Sequence, residues 1–314
     1  MRDKAKEPRL SVVIASYHSR ETIGSCLRSL ELQSRRPDEV IVVDSGQDGT
    51  ADLIAREFTD VRLFSFKERK YPGAARNIGL QHATGDLIAF LDADCVVPTD
   101  WAEQIVAAHD DPDPLIGGAI DNGNPESPVG WAAYFCELSQ WMPGGAKRSM
   151  VEVPSGSLSI KRWAFDKYGP FIERGYCSDT AFNWRALADG HRPVFQPAIR
   201  VFHSNISRLG RFLPKQVMHG RAFATVRIQE RKMSPAGIMV YFTGSPLLPL
   251  LLFRRVMARV LDLGTYSDRF LKVSPIVFLG LAAWSWGECL GYWTGLWNSL
   301  RVAGAPGSLG KSTW

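Results

Sequence analysis

Leu87-Ile88-Ala89-Phe90-Leu91 runs straight into Asp92-Ala93-Asp94. The apolar run is too short for a helix and reads as a buried strand. Residues two apart on a strand point to the same side. Asp92 and Asp94 are therefore expected to present both carboxylates together, just past the strand's C-terminal end. Open α/β sheets bind ligands along that edge. Two carboxylates at close range repel unless a cation stands between them. Their oxygens suit Mg²⁺ or Mn²⁺, and Mg²⁺ usually completes its shell with water and substrate phosphates. Two readings stay open on this stretch alone: a metal–diphosphate site, or a polar turn with two solvated aspartates.

Upstream, strands and helices alternate. Leu10 to Ala15 is a β-branched, apolar run and reads as the first buried strand. Ser16, Tyr17, His18 and Ser19 form a polar loop, with Ser19 as the expected helix N-cap. Ile23, Leu27 and Leu30 recur at helical spacing. Val40 to Val43 is a second strand ending at Asp44, and Leu53, Ile54 and Phe58 share one face of the next helix. Val61 to Phe66 is a third strand. This alternation predicts a doubly wound, mostly parallel sheet. Between Gly73 and Leu80 small residues surround Arg76, a permanent planar cation suited to phosphate or carboxylate. It reads as a phosphate contact, or as the partner of an aspartate on a helix packed against the sheet. Gly85-Asp86 then turns the chain into the strand that ends at Asp92.

The ordered set of Ser11 to Tyr17, Val42-Val43-Asp44 with Asp48-Gly49-Thr50, Gly73 to Gly79, Gly85-Asp86 and Leu91 to Asp94 resembles the family 2 glycosyltransferases over roughly residues 10–205. The resemblance implies a GT-A fold, which is Rossmann-like. It implies nucleotide contacts from Ser16, Tyr17 and Asp44, a ribose contact from Asp92, and a divalent metal, Mn²⁺ or Mg²⁺, at Asp94. Val151 to Arg162 resembles the family's small-residue strand beside the donor sugar. Cys177 to Leu187 resembles the stretch where the family carries two adjacent acids before a helix. Ser178, itself able to cap that helix, replaces the first acid. Asp179 aligns with the second, which implies that it is the catalytic base. His203 matches a histidine common at its point and implies an approach to the metal or diphosphate; a structural histidine is the other reading. The turn after Asp44 is one residue shorter than the usual pattern, and His18 stands where an asparagine is common.

The 314 residues, 45% hydrophobic, are ample for one large core domain with an appendage. The five scattered cysteines form no Cys-x-x-Cys pair, which argues against structural zinc or a disulfide framework. The charged N-terminus shows no apolar signal-peptide core. Residues 110–150, rich in Gly, Pro and Asp, suit a connection and a flexible flap more than sheet. Seven Lys/Arg against one acid between Ser204 and Gly237 read as a solvated helix face or as contact with an anionic membrane surface. Two largely apolar runs follow, Pro235 to Phe253 and Val273 to Trp297, each near the roughly 20 residues needed to span a bilayer. Residues 305–312 approximate a phosphate loop without the strand and helix that such a loop requires.

The expected organisation is a GT-A catalytic domain at 1–205, a basic linker or helix at 206–234, two membrane-associated helical segments at 235–300, and a flexible tail at 301–314. The expected activity is metal-dependent, inverting transfer of a sugar from a nucleotide-sugar donor to an acceptor hydroxyl, for cell-surface polysaccharide, glycolipid or a related glycan. The expected setting is the cytoplasmic face of the cell membrane, with membrane lipids, an acceptor of unknown and conceivably lipid-linked kind, and no nucleic acid as partners. A sugar-1-phosphate nucleotidyltransferase and a non-catalytic sugar-nucleotide-binding membrane protein are the alternatives.

Overall fold

The computed structural model describes residues 7–303, so the charged extreme N-terminus, the phosphate-loop-like stretch and nearly all of the expected tail lie outside the described residues. In chain order the elements are β1 (Leu10–Ser16), α1 (Ile23–Glu31), β2 (Glu39–Asp44), α2 (Thr50–Glu57), β3 (Arg62–Ser65), α3 (Pro72–His82), β4 (Leu87–Asp92) and β5 (Cys95–Val96). Next come α4 (Trp101–Ala108), β6 (Leu115–Asn122), α5 (Pro128–Leu138), β7 (Arg148–Ser149), β8 (Leu158–Lys161), α6 (Arg162–Tyr168), α7 (Ser178–Ala188) and β9 (Val194–His203). Helices α8 (Leu209–Glu230), α9 (Pro235–Gly244), α10 (Leu248–Leu263) and α11 (Ser267–Ala303) follow.

One sheet runs β3-β2-β1-β4-β8-β6-β9-β5, with β7 beside β9. The first four strands are mutually parallel, as the alternation predicts. The other half is mixed: β8 is antiparallel to β4 and β6, while β6 and β9 run parallel. Strand side chains alternate between two cores. Leu10, Val12 and Ile14 of β1 pack with α1 and α4 on one face, and Val13 packs on the other. The strand order reverses at β1, between β2 and β4. That is the switch point where α/β sheets open a ligand crevice. Register sets Ser16 opposite Asp44 and Ala15 opposite Asp92, so the polar ends of three strands meet there.

Three local expectations are corrected. Ser19 is not the N-cap of α1: Thr22 occupies that position, and the Ser19 carbonyl accepts from the Thr22 and Ile23 amides. Ser178 is the first residue of α7 and not its cap, which is Cys177 at a left-handed φ of 63°. Residues 110–150 are not a flap. Strand β6 is buried throughout and α5 is buried along most of its length. Glycine here serves close packing instead of flexibility. A Cβ on Gly117 would meet Val153 Cγ1 at 2.4 Å, and one on Gly118 would meet the Ile199 carbonyl at 2.5 Å.

The C-terminal helices share the main core. Phe212 of α8, Val256 and Val260 of α10, and Phe270, Val277 and Leu281 of α11 are buried in one cluster with α5 and the sheet. The outer faces are apolar too, exposing Val240, Leu247, Leu250, Leu251, Phe278, Leu279 and Trp286. Two stretches, Pro235–Leu263 and Ser267–Ser299, are long and apolar enough to cross a membrane; the first is only 11% buried in its most apolar window. An exposed apolar surface of this extent marks a contact face.

Glu39 ties the start of the parallel half together. Its carboxylate accepts from Ser11 Oγ at 2.6 Å, Thr84 Oγ1 at 2.9 Å and Arg62 Nη1 at 2.8 Å. Burial pushes its pKa up, but these bonds outweigh it and hold the group at about 2, below its ordinary 4.5. A depressed folded-state pKa stabilises above the unfolded value, and that stabilisation is lost as pH falls. Glu39→Gln should lower the urea midpoint at pH 7. The gap to the native chain should narrow as pH falls from about 4.5 towards 2. A gap independent of pH would contradict this account.

Candidate active site

A cavity of about 710 Å³ opens where β1 and β4 end. Ser16 Oγ donates to Asp44 Oδ1 at 2.7 Å, and Asp44 is fully buried with Oδ2 lacking a hydrogen-bond partner. Burial lifts the Asp44 carboxyl above its usual range, against the bonds from Ser16 and the Gly46 amide. A buried, unpaired carboxylate oxygen is costly, so it calls for a donor. Tyr17 is exposed and carries the Arg69 guanidinium 4.4 Å above its ring. Arg69 also lies 4.7 Å over Tyr71 and donates to Tyr176 Oη at 3.0 Å. This aromatic–arginine stack was not anticipated from sequence, although Arg69-Lys70-Tyr71 was its available signal.

The acidic pair assembles as its strand predicts, with Asp92 ending β4 and Asp94 in the turn before β5. Arg76, its side chain only 6% exposed, donates to Asp92 Oδ1 at 2.8 Å. The small-residue helix and the aspartate partner are thus one arrangement: α3 lies on the sheet and delivers Arg76 to the site. His203 Nε2 stands 3.5 Å from Asp94 Oδ1. Asn205 fixes the tautomer of that histidine. Its amide nitrogen donates to Asn122 Oδ1 at 2.9 Å, which leaves Asn205 Oδ1 to accept from His203 Nδ1 at 3.0 Å. In the neutral ring this arrangement puts the Nε2 lone pair opposite a carboxylate oxygen. Two facing acceptors fit a cation or a proton between them.

Ligand atoms of Asp92, Asp94, Cys95 and His203 lie within 4.8 Å of one another. Cys95 belongs to the apolar core under α1 and α4, and burial pushes its thiol well above the ordinary value, so it offers no thiolate. The usable donors are carboxylate oxygens and an imidazole, a set that fits Mn²⁺ or Mg²⁺. Burial foremost, and then the Asp92 charge, raises the Asp94 pKa, while His203 opposes the rise. A bound cation would relieve that strain.

Asp179 lies in the first turn of α7 and faces the same cavity. Its Oδ2 accepts from the Ser155 amide at 3.0 Å and from Ser155 Oγ at 3.1 Å. The neighbouring Gly156 is where this loop meets the acidic pair: a Cβ there would lie 2.6 Å from Asp92 Oδ2. One tight turn, Ser155–Ser157, therefore touches both the acid pair and Asp179.

The far wall comes from the C-terminal helices. Lys215, His219, Phe223 and Arg227 line the cavity at intervals of four residues, one face of α8. Lys215 pairs with Glu137 at 3.6 Å, and that carboxylate chiefly raises its pKa. Arg227 pairs with Glu288 of α11 at 3.2 Å. Leu248, Leu252, Arg255, Val256 and Arg259 of α10 complete the wall. Sequence reasoning read this basic stretch as a solvated face or a membrane contact. The four-residue spacing that puts part of it inside the cavity was present but went unused.

A family model described as glycosyl transferase family 2 matches residues 11–165. The glycosyltransferase AglE of Haloferax volcanii is 30% identical over 237 residues, covering 71% of this chain and 76% of AglE. A pre-mycofactocin glycosyltransferase of Mycobacterium tuberculosis is 28% identical over 215 residues, 66% of this chain but 46% of that longer protein. In fold the chain is similar to the mannosyltransferase PcManGT of Pyrobaculum calidifontis, solved with GDP-Man and Mn²⁺ (TM-score 0.55, 19% identity, 96% of this chain and 77% of that one). It is also similar to S. aureus TarS 1–349, solved with UDP-GlcNAc (TM-score 0.52, 16% identity, 91% and 92% covered). The mixed sheet with its surrounding helices is the GT-A architecture of these structures. With its sheet-edge motifs, the family match and the relationship to AglE, the chain belongs to glycosyltransferase family 2 and is a glycosyltransferase.

Proposed function

We propose that this enzyme moves a sugar from a nucleotide-sugar donor to an acceptor hydroxyl with inversion, using Mn²⁺ or Mg²⁺ bound by Asp94 and His203. One observation carries the reading: the Asp92–Asp94–His203 cluster and Asp179 line one cavity and are bridged by the turn at Ser155–Gly156. Asp44, with its unpaired Oδ2, and the Tyr17–Arg69 stack suit a nucleobase at one end. Ser16 holds Asp44 in place, and Arg76 aims Asp92 at the ribose. The metal, when bound, supplies positive charge where charge builds on the leaving diphosphate. Ser155 clamps one oxygen of Asp179, which takes the proton from the acceptor hydroxyl as that hydroxyl attacks the anomeric carbon. Attack from the face opposite the diphosphate inverts the configuration.

The acceptor reading rests on α10. Its inner face brings Leu248, Leu252, Arg255 and Arg259 to the cavity, while its outer face exposes Leu250, Leu251 and Leu261. A helix apolar on both sides, with arginines facing inward, suits a membrane-presented acceptor, lipid-linked in kind. The apolar helices support attachment to a membrane, and the setting proposed with it is the cytoplasmic face of the cell membrane, where glycolipids or cell-surface polysaccharides are built.

Two predictions follow from these roles. Asp94→Asn and His203→Ala should each weaken Mn²⁺ binding in calorimetry by at least the roughly 10–100-fold that losing a hydrogen-bond partner of a ligand costs, while Cys95→Ser stays near the native value. Equal losses in all three variants would remove Asp94 and His203 as the ligands. Asp179→Asn keeps the Ser155 contacts and should lower turnover by about 10²–10⁴-fold with donor affinity nearly intact. Native turnover in that variant would remove Asp179 as the base.

A further inference from the structure

One carboxylate in the cavity has no part in the roles above. Glu152 lines the cavity beside Asp179, and its Oε2 is buried with no hydrogen-bond partner. Its backbone is fixed. The Glu152 carbonyl accepts from Trp141 Nε1 at 3.1 Å, and Asn183 Nδ2 bridges the Val153 carbonyl at 2.9 Å and the Asp179 carbonyl at 2.7 Å. Asn183 Oδ1 accepts from the Val153 amide at 3.3 Å. The segment carrying Glu152 is thus stapled to the first turns of α7, and the spacing of Glu152 from Asp179 is built in.

The order of contacts along this segment has a direction. Gly156 abuts Asp92 and Ser155 clamps Asp179, while Glu152 feels the charges of Arg227 and Arg231 on α8. Glu152 thus lies towards the basic wall of α8, and an acceptor entering along that wall would meet it next to Asp179. Ser178 has displaced the first of the two adjacent acids expected here, and Glu152 reaches the neighbourhood of the second from another part of the chain.

We propose that Glu152 is an acceptor-binding residue whose buried, unpaired Oε2 takes a hydrogen bond from a hydroxyl of the acceptor and holds it against Asp179. The proposal rests on the transferase reading above and adds to it a recognition element for hydroxyl-bearing acceptors. An unpaired buried carboxylate oxygen is costly, and a hydroxyl donor is the ligand chemistry that relieves it. The electrostatics agree. Burial first, and then the Asp179 charge, raise Glu152 to about 7, against the Thr180 hydroxyl and the two arginines. The other groups nearby are Cys177 at the cap of α7, His219 on α8 and Glu288 on α11. Ionised Glu152 accepts more strongly than the protonated acid, so acceptor engagement improves as pH rises through about 7.

The test uses the full chain, the isosteric Glu152→Gln variant and the charge-retaining Glu152→Asp variant. Calorimetry with UDP-, GDP-, dTDP- and CMP-sugars plus Mn²⁺ reads donor affinity. Nucleotide release between pH 5.5 and 8.5, with n-octyl β-D-glucoside as the hydroxyl probe, counts transfer to the glycoside and to water alike. Glu152→Gln should keep the native donor affinity, release nucleotide about tenfold more slowly at pH 8, and lose the rise through neutral pH. Glu152→Asp should regain part of that rise. Native rates and an unchanged pH profile in Glu152→Gln would overturn the proposal, as would a loss of donor affinity, which would put Glu152 on the donor sugar instead. A native chain that binds no donor fails the transferase reading itself, and the calorimetry shows that separately.

Discussion

The site depends on keeping like charges together at the edge of a sheet. Asp92 and Asp94 sit two residues apart where β4 ends, and Asp44 lies one strand beyond β1. In water such carboxylates repel weakly; in a cavity the repulsion grows and each desolvated charge is costly. The fold answers with fixed partners. Buried Arg76 is delivered by α3 onto Asp92, His203 arrives at the end of β9 beside Asp94, and Ser16 pairs with Asp44 across the β1–β2 register. What is left unpaired is informative. Asp44 Oδ2 and Glu152 Oε2 are buried without a hydrogen-bond partner, and the proposed donor and acceptor would supply one to each.

The C-terminal helices belong to the same machine. Their inner faces complete the main core and one wall of the cavity, and their outer faces are apolar. The α8–α11 crossing is tight: a Cβ on Gly220 would sit 2.0 Å from the Trp284 carbonyl, and one on Gly287 would sit 2.1 Å from the Val217 carbonyl. Removing these helices would uncover α5, where Phe135 packs against Phe270 in the main core. The exposed apolar surface and the cavity are thus two sides of one layer; under the proposed function, that layer would couple where the enzyme sits to how its acceptor enters.

Much of this was legible in the sequence where chemistry and periodicity are local. Short β-branched runs gave the parallel half of the sheet; Asp92, Asp94 and Asp44 were found by their places at strand ends, and Arg76 by the small residues around it. Features that arise only from packing were not legible. The 110–150 stretch looked like a flap because glycine signals flexibility in a sequence, yet Gly117 and Gly118 are there to let Val153 and Ile199 approach. Glu152 lies in the 151–162 stretch but carries no residue-level signal there; only the fold shows that Asn183 staples its segment to α7. Ser19 and Ser178 fit capping preferences, but the caps formed at Thr22 and at Cys177, neither with a side-chain capping bond.

The central claim is that a metal-assisted nucleotide-sugar site exists at the ends of β1 and β4. A thermal-shift titration of the full chain against UDP-, GDP-, dTDP- and CMP-sugars, each with and without Mn²⁺, tests it most directly. One nucleotide class should stabilise the chain, and strongly only when the metal is present, because binding to the folded state raises the melting temperature by mass action. Stabilisation that is equal with and without Mn²⁺, or no stabilisation by any donor, would contradict it.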